Sequence, residues 1–191
     1  MNKTSAYTRT FRIALISLLF AGACELAGPG LLRAVSSNEG SVRLLEDGDY
    51  FPAFIKTIDG AKSEIVMSFF LFKTNGYRAS YTDRLLAGLV RAAKRGVRVR
   101  IILDQRETGS HADTSNRETA ARLRQAGIEV DFDSPGVTTH TKVAVIDERY
   151  ILLGSHNLTN SALKYNHELS VFIDSPPLAG KILRYIESLR K

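Results

Sequence analysis

Apolar residues fall along this chain in two rhythms, one of period near 3.6 and one of short dense runs. Phe51, Phe54, Ile55 and Ile58 recur at helical spacing and predict a helix over Tyr50 to Ala61. Leu85, Leu86, Leu89 and Val90 mark one side of a second helix over Thr82 to Lys94, with Gly96 just past its end. The dense runs Ser63 to Phe72 and Val97 to Asp104 predict buried strands. Gln105 to Asn116 is polar and predicts a loop, followed by a helix over Thr119 to Gln125 that Gly127 stops. Further strands are expected at Ser41 to Leu45, Ile128 to Phe132, Lys142 to Ile146, Tyr150 to Leu153 and Leu169 to Ile173. Leu158 to Leu163 begin a helix, and a final helix runs from the Pro176-Pro177 pair to Ser188.

Strands alternate with helices in the first half and cluster in the second. Their continuous apolar runs predict burial on both faces. The fold class is therefore α/β, a mixed β-sheet flanked by helices on both faces. No internal repeat or low-complexity tract interrupts the pattern.

The first residues break it. Lys3, Arg9 and Arg12 precede an apolar stretch, Ile13 to Phe20, too short to predict a membrane span, and then Ala21-Gly22-Ala23 and Cys24. Residues 1–24 read as a signal peptide, a lipoprotein signal or a membrane anchor, with Cys24 the candidate lipidation site. Residues 25–40, rich in small residues, read as a linker, and 41–191 as the catalytic domain. The expected location is exported: periplasmic or membrane-anchored. Cys24 is the only cysteine, so an intrachain disulfide is excluded.

The chain has 191 residues, 44% hydrophobic and 24% charged, which excludes a disordered protein. Its net charge of +6 falls to +3 once residues 1–23 are removed. A mildly basic body suits an anionic partner without choosing between nucleic acid and anionic lipid.

The candidate chemistry lies between His140 and Asn157, in the stretch HTKVAVIDERYILLGSHN. In an extended strand, residues two apart share a face, so His140 and Lys142 stand together as nucleophile or base beside a fixed cation. Gly154, Ser155 and Asn157 follow with a turn that returns donors. Asp147 has the wrong parity to join Lys142 and reads as structural, holding the turn at Asp147–Arg149. A helix starting near Leu158 would present its N-terminus to an anion.

The pattern His-x-Lys-x4-Asp-x6-Gly-Ser-x-Asn resembles the signature of the phospholipase D superfamily, which holds phospholipases D, phospholipid synthases and bacterial endonucleases. Six fixed positions recur by chance in about one chain in 10⁵ to 10⁶. Glu168, eleven residues after Asn157, stands where short single-motif nucleases of that family also carry glutamate. The resemblance implies a phospholipase D-like sandwich and a metal-independent phosphodiesterase, with no cofactor, that works through a phosphohistidine intermediate at His140. Lys142, Ser155 and Asn157 are then phosphate-binding, with Gly154 giving close backbone access, and Glu168 holds the second ring nitrogen of His140. His156 and His167 are expected as rim histidines without a special role. Their spacings with His140 and Glu168 match no standard metal-ligand pattern. Arg106, His111 and Arg117 fall in or near the polar loop, and Phe69, Phe70 and Phe72 are expected in the core.

One motif supplies one histidine, whereas the leaving alkoxide needs a second proton-handling group. A two-fold homodimer with a composite active site is the economical solution, and small single-motif members of the family behave in this way. The leading functional reading is an endonuclease cleaving DNA or RNA. A phospholipase D acting on or transferring phospholipid head groups is the alternative, and a non-catalytic anion-binding module is a third.

Overall fold

The computed structural model describes residues 40–105, 111–134 and 136–190. The targeting segment, Cys24 and Arg106 lie outside the described residues, as does nearly all of the linker. Seven strands form one mixed sheet: β1 (Ser41–Glu46), β2 (Glu64–Phe69), β3 (Arg98–Leu103), β4 (Glu129–Phe132), β5 (Lys142–Ile146), β6 (Tyr150–Gly154) and β7 (Leu169–Asp174). Their spatial order is β1-β7-β6-β5-β2-β3-β4. Strands β2, β3 and β4 run parallel, while β5, β6, β7 and β1 join as antiparallel neighbours.

The helices are α1 (Tyr50–Gly60), α2 (Tyr81–Lys94), α3 (His111–Gln125), α4 (Asn160–Lys164) and α5 (Pro176–Ser188). A short 3-10 turn, Asp47–Asp49, leads into α1. Local chemistry places the ends. Ser80 caps α2 by accepting from Asp83 N–H, and Ser175 caps α5, whose first turn takes Pro176 and Pro177.

Alternation along the strands sorts the core into two layers. Ile65, Met67 and Phe69 of β2 share one core layer with α1, α2 and α3 through Phe54, Ile58, Leu85, Leu89 and Leu123. Val66, with Val143, Val145 and Ile151, faces α5 through Ala179 and Ile186. Helices therefore cover both faces, as the apolar runs require. Among the described residues no helix is long and apolar enough to cross a membrane.

Two elements differ from the sequence expectation. The polar stretch before Thr119 is not all loop, because α3 begins at His111. Its buried face carries Asp113, Ser115, Asn116 and Thr119. Asn116 donates to the carbonyls of Phe70 and Asp104 and accepts from Phe72 N–H, while Thr119 accepts from Thr74 N–H. A helix that packs on exposed backbone needs polar inward residues, so hydrophobic periodicity does not see it. The strand expected to reach Phe72 ends at Phe69. Beyond it, residues 71–73 leave the ladder and bond to Leu158 instead.

Candidate active site

The motif residues other than Asp147 gather beyond the carboxyl ends of parallel β2 and β3, the usual place for a site in an open α/β sheet. Because β5 is antiparallel to β2, with Lys142 opposite Phe69, residues just before β5 arrive at that edge. Thr139 N–H donates to buried Asp104 at the end of β3 (2.8 Å), and Phe70 N–H donates to the carbonyl of Thr141 (2.8 Å). His140 is held between these two anchors and is exposed to solvent.

His140 and Lys142 meet on one aromatic platform. The His140 ring lies 4.6 Å from the Phe70 ring, centroid to centroid, and the Lys142 ammonium 5.1 Å from the same ring. Lys142 Nζ donates to the carbonyl of His140 at 3.1 Å. Among the described residues no carboxylate lies within ion-pair distance of Lys142. Burial pushes its pKa below the ordinary lysine value, against the opposing charges of Glu168 and Asp104. The result is a desolvated cation beside an accessible imidazole, suited to hold a non-bridging phosphate oxygen.

Glu168 does not reach His140 within one chain. Its carboxylate accepts from Ser155 Oγ (2.5 Å) and Asn166 Nδ2 (3.1 Å). Its backbone is pinned by Asp47, whose carboxylate accepts from Glu168 N–H at 2.8 Å and so lies below the usual carboxylate range. Ser155 Oγ is occupied as well, since it also accepts from Leu169 N–H at 3.0 Å. The Ser155 hydroxyl therefore braces the β6–β7 connection and is not turned to a phosphate. Asn157 Oδ1 is buried and has no hydrogen-bond partner among the described residues.

Gly154 has a different reason from the one expected. A Cβ there would stand 2.2 Å from Ser170 Oγ and 2.4 Å from its Cα. The glycine lets β7 approach β6, a packing demand that the sequence reading did not contain. The expected helix N-terminus is also absent as an anion site: α4 spans five residues, and Thr159 caps it by accepting from Ala162 N–H.

Asp147 lies at the opposite end of β5, five residues and about 17 Å along the strand from Lys142. Its carboxylate takes the N–H groups of Lys62, Ser63 and Glu64 and the Ser63 hydroxyl. Burial raises its pKa, and these donors outweigh that, leaving it below the usual value. It is structural, but what it ties is the junction of α1 with β2; its own turn bends through left-handed backbone at Asp147 and Glu148.

The histidines flanking the motif divide. His167 is fully exposed, with Nδ1 3.2 Å from Asp47 Oδ2. His156 is not at the rim: it is wholly buried and stacked on Tyr50 at 4.3 Å. Its Nε2 donates to the carbonyl of Asp47 (3.0 Å), so Nδ1 accepts from Ser170 Oγ (2.7 Å). Burial lowers its pKa. Through Asp47 it braces the backbone of Glu168. Arg117 pairs with Asp113 on α3, and His111 opens that helix; neither lies among the motif residues.

Sequence reasoning missed Phe70, Asp104 and Asn116. Phe70 was assigned to the core with Phe69 and Phe72, which are wholly buried, whereas Phe70 is half-buried under His140 and Lys142. Asp104 was legible as a lone carboxylate ending an apolar strand. Beside Glu168 a shallow cavity of about 420 Å3 is lined by Glu46, Asp47, Ser155, His167, Glu168 and Leu169. Among the described residues no cluster of three or more His, Cys, Asp or Glu side chains is placed to hold a metal ion.

A family model described as "Cardiolipin synthase, PLD-like domain" matches residues 54–190. A phospholipase D from Rickettsia conorii is 35% identical over 105 residues, covering 54% of this chain and 50% of that protein. The mitochondrial cardiolipin hydrolase of Chlamydomonas reinhardtii is 36% identical over 95 residues, 50% of this chain and 40% of that protein. The chain thus spans about half the length of these curated relatives or less. Among solved structures, the phospholipase D family member Nuc from Salmonella typhimurium superposes with a TM-score of 0.67 at 28% identity, covering 79% of this chain and 94% of that one.

Proposed function

The chain belongs to the phospholipase D-like domain family, and on that footing we propose that it is a phosphodiesterase, with nucleic acid as its substrate. The observation that carries the chemistry is the pairing of exposed His140 with desolvated Lys142 on Phe70. In the first step a ring nitrogen of His140 bonds to phosphorus as the P–O bond to the leaving alcohol breaks. Lys142 offsets charge on the non-bridging oxygens. Water then displaces the histidine, releasing a phosphomonoester and restoring the imidazole.

Among the described residues, the site of one chain lacks two things this scheme needs. The leaving oxygen requires a proton, and the second nitrogen of His140 requires an acceptor. Among the described residues, Glu168 is turned to Ser155 and Asn166 and not to His140. A two-fold homodimer supplies both: His140 of the partner subunit protonates the leaving group, and Glu168 meets a His140 ring across the interface.

Nucleic acid is favoured over lipid because His140 is exposed at an open edge of the sheet, where a polymer can reach it. The phospholipid reading draws support from the family model and from the phospholipase D and cardiolipin hydrolase names of the relatives. The test is cleavage of plasmid and single-stranded DNA in excess EDTA, beside His140→Ala and beside head-group release from phospholipid vesicles. After equal mixing of exchanging wild-type and His140→Ala subunits, the activity should be about a quarter of that of the same total concentration of wild-type subunits, since only wild-type pairs act. Retention of half would refute the shared site.

A further inference from the structure

We propose that a column of alternating cations and aromatic rings, running from α4 to the groove between α1 and α2, is the track that holds a single-stranded nucleic acid as it leaves the site; this rests on the nucleic-acid reading above. Lys164 Nζ lies 4.9 Å from the ring of Tyr165 and 5.9 Å from that of Tyr81. Tyr81 stacks on Phe51 at 4.3 Å, and the Arg84 guanidinium lies 5.6 Å from Tyr81 and 4.9 Å from Phe51. Beyond Arg84 a cavity of about 700 Å3 opens between α1 and α2, with Arg78 on its wall.

The column is continuous with the catalytic edge. Helix α4 begins three residues after Asn157, and Asn160 fastens it to α2 by accepting from Tyr81 N–H at 3.1 Å. Leu158 bonds to Leu71 and Lys73 through the backbone, each at 2.9 Å. That segment starts at Phe70, the platform of His140 and Lys142. The backbone pairing of Leu158 with Leu71 and Lys73 thus joins the start of α4 to the segment that carries the platform.

The cations are available. Other charges in the groove are spent on each other, Arg91 on Asp59 at 2.9 Å and Asp83 on Arg122 at 3.2 Å. Arg78, Arg84 and Lys164 have no carboxylate partner among the described residues, and all three are exposed. Tyr165 is 68% exposed, so its ring face is open to a base. The open ring of Tyr165 and the three cations match the two needs of an unpaired strand, stacking for bases and charge for phosphates, while buried Phe51 and half-buried Tyr81 hold the Arg84 guanidinium in place. A bilayer asks for exposed aliphatic anchors. The exposed aliphatics Val42, Leu44, Leu153 and Leu169 lie on the other sheet face, with Ile151 and Ile173 against α5, and Val137 stands alone near His140.

The experiment uses the full chain with both Arg84→Gln and Lys164→Gln, exposed positions whose loss leaves the core intact. A labelled single strand of about 20 nucleotides spans more than one site of this kind. The expected result is a KM for that strand raised at least 10-fold, with hydrolysis of bis(p-nitrophenyl) phosphate unchanged. The slope of log affinity against log salt should shrink by about 1.4, from two lost phosphate contacts at ~0.7 each. An unchanged KM and slope would overturn the track. So would loss of binding only to vesicles of phosphatidylcholine with cardiolipin, which would make the surface membrane-facing. If the wild type hydrolyses the small diester through His140 but leaves DNA untouched, the track fails and the catalytic reading stands. If the small diester is not hydrolysed through His140, the catalytic reading fails, and equilibrium binding of the strand to wild type against the double variant still decides the track.

Discussion

The ring of His140 rests on the ring of Phe70, 4.6 Å between centroids and 59° between planes. The contact orients an exposed imidazole that has no hydrogen-bonded acid among the described residues. An aromatic contact of this kind contributes about 0.5–1.5 kcal/mol. Phe70→Leu should therefore lower kcat/KM for bis(p-nitrophenyl) phosphate roughly 10-fold while the melting temperature moves little. A loss of stability without a kinetic effect would return Phe70 to the core.

Lys142 must be protonated to hold a phosphate oxygen, and burial lowers its pKa below the ordinary 10.5. The kcat/KM profile should fall as pH rises through a value below 10.5, because that profile reports free-enzyme ionisations. Lys142→Gln should remove the alkaline limb and reduce kcat about 10²–10³-fold, as for loss of one oxyanion donor.

Asp147 shares the motif with His140 and lies far from it. Asp147→Asn leaves the donors of Lys62, Ser63 and Glu64 without a carboxylate, which should cost roughly 1–3 kcal/mol in denaturant unfolding. Turnover per folded molecule should stay at the wild-type value. A selective loss of kcat would place Asp147 in the chemistry.

At Gly154 a single methyl meets Ser170 and the Leu169 carbonyl at 2.2–2.5 Å. Gly154→Ala should destabilise the β6–β7 pair by about 1–3 kcal/mol or more. The measurement is the unfolding midpoint. Normal stability with weakened phosphate inhibition would instead favour the access role.

His156 is buried neutral, with its pKa below the unfolded value of 6.5. Its contribution is fully present above about 6.5 and is lost as pH falls through the lower folded value, because the unfolded chain binds the proton first. Stability should decline between those two values. His156→Gln should be less stable at neutral pH and show a flatter dependence in that window; an unchanged slope would assign the decline to other groups.

The candidate site was legible in part. His140, Lys142 and Asn157 stand out by spacing, and the structure brings them to one edge of the sheet. The partners of Gly154, Ser155 and Asp147 were not legible, although Asp147 reads as structural, because each partner is distant in sequence: Ser170, Glu168 and the α1–β2 junction. His156, between Ser155 and Asn157, reads as a rim histidine, yet it is buried against Asp47 and Tyr50. The start of α3 was hidden because its inward face satisfies backbone and not apolar surface.

By itself the sequence determined the α/β class, the two-sided burial of the sheet and the location of the candidate chemistry. Those follow from periodicity and spacing, which are local properties of a chain. Tertiary structure alone decided that Phe70 carries both reactive side chains, that Glu168 turns from its own His140, and that cations of α2 and α4 line up with aromatic rings. Such relations join segments tens of residues apart, and only the packing of β5 against β2 and of α4 against α2 brings them into contact.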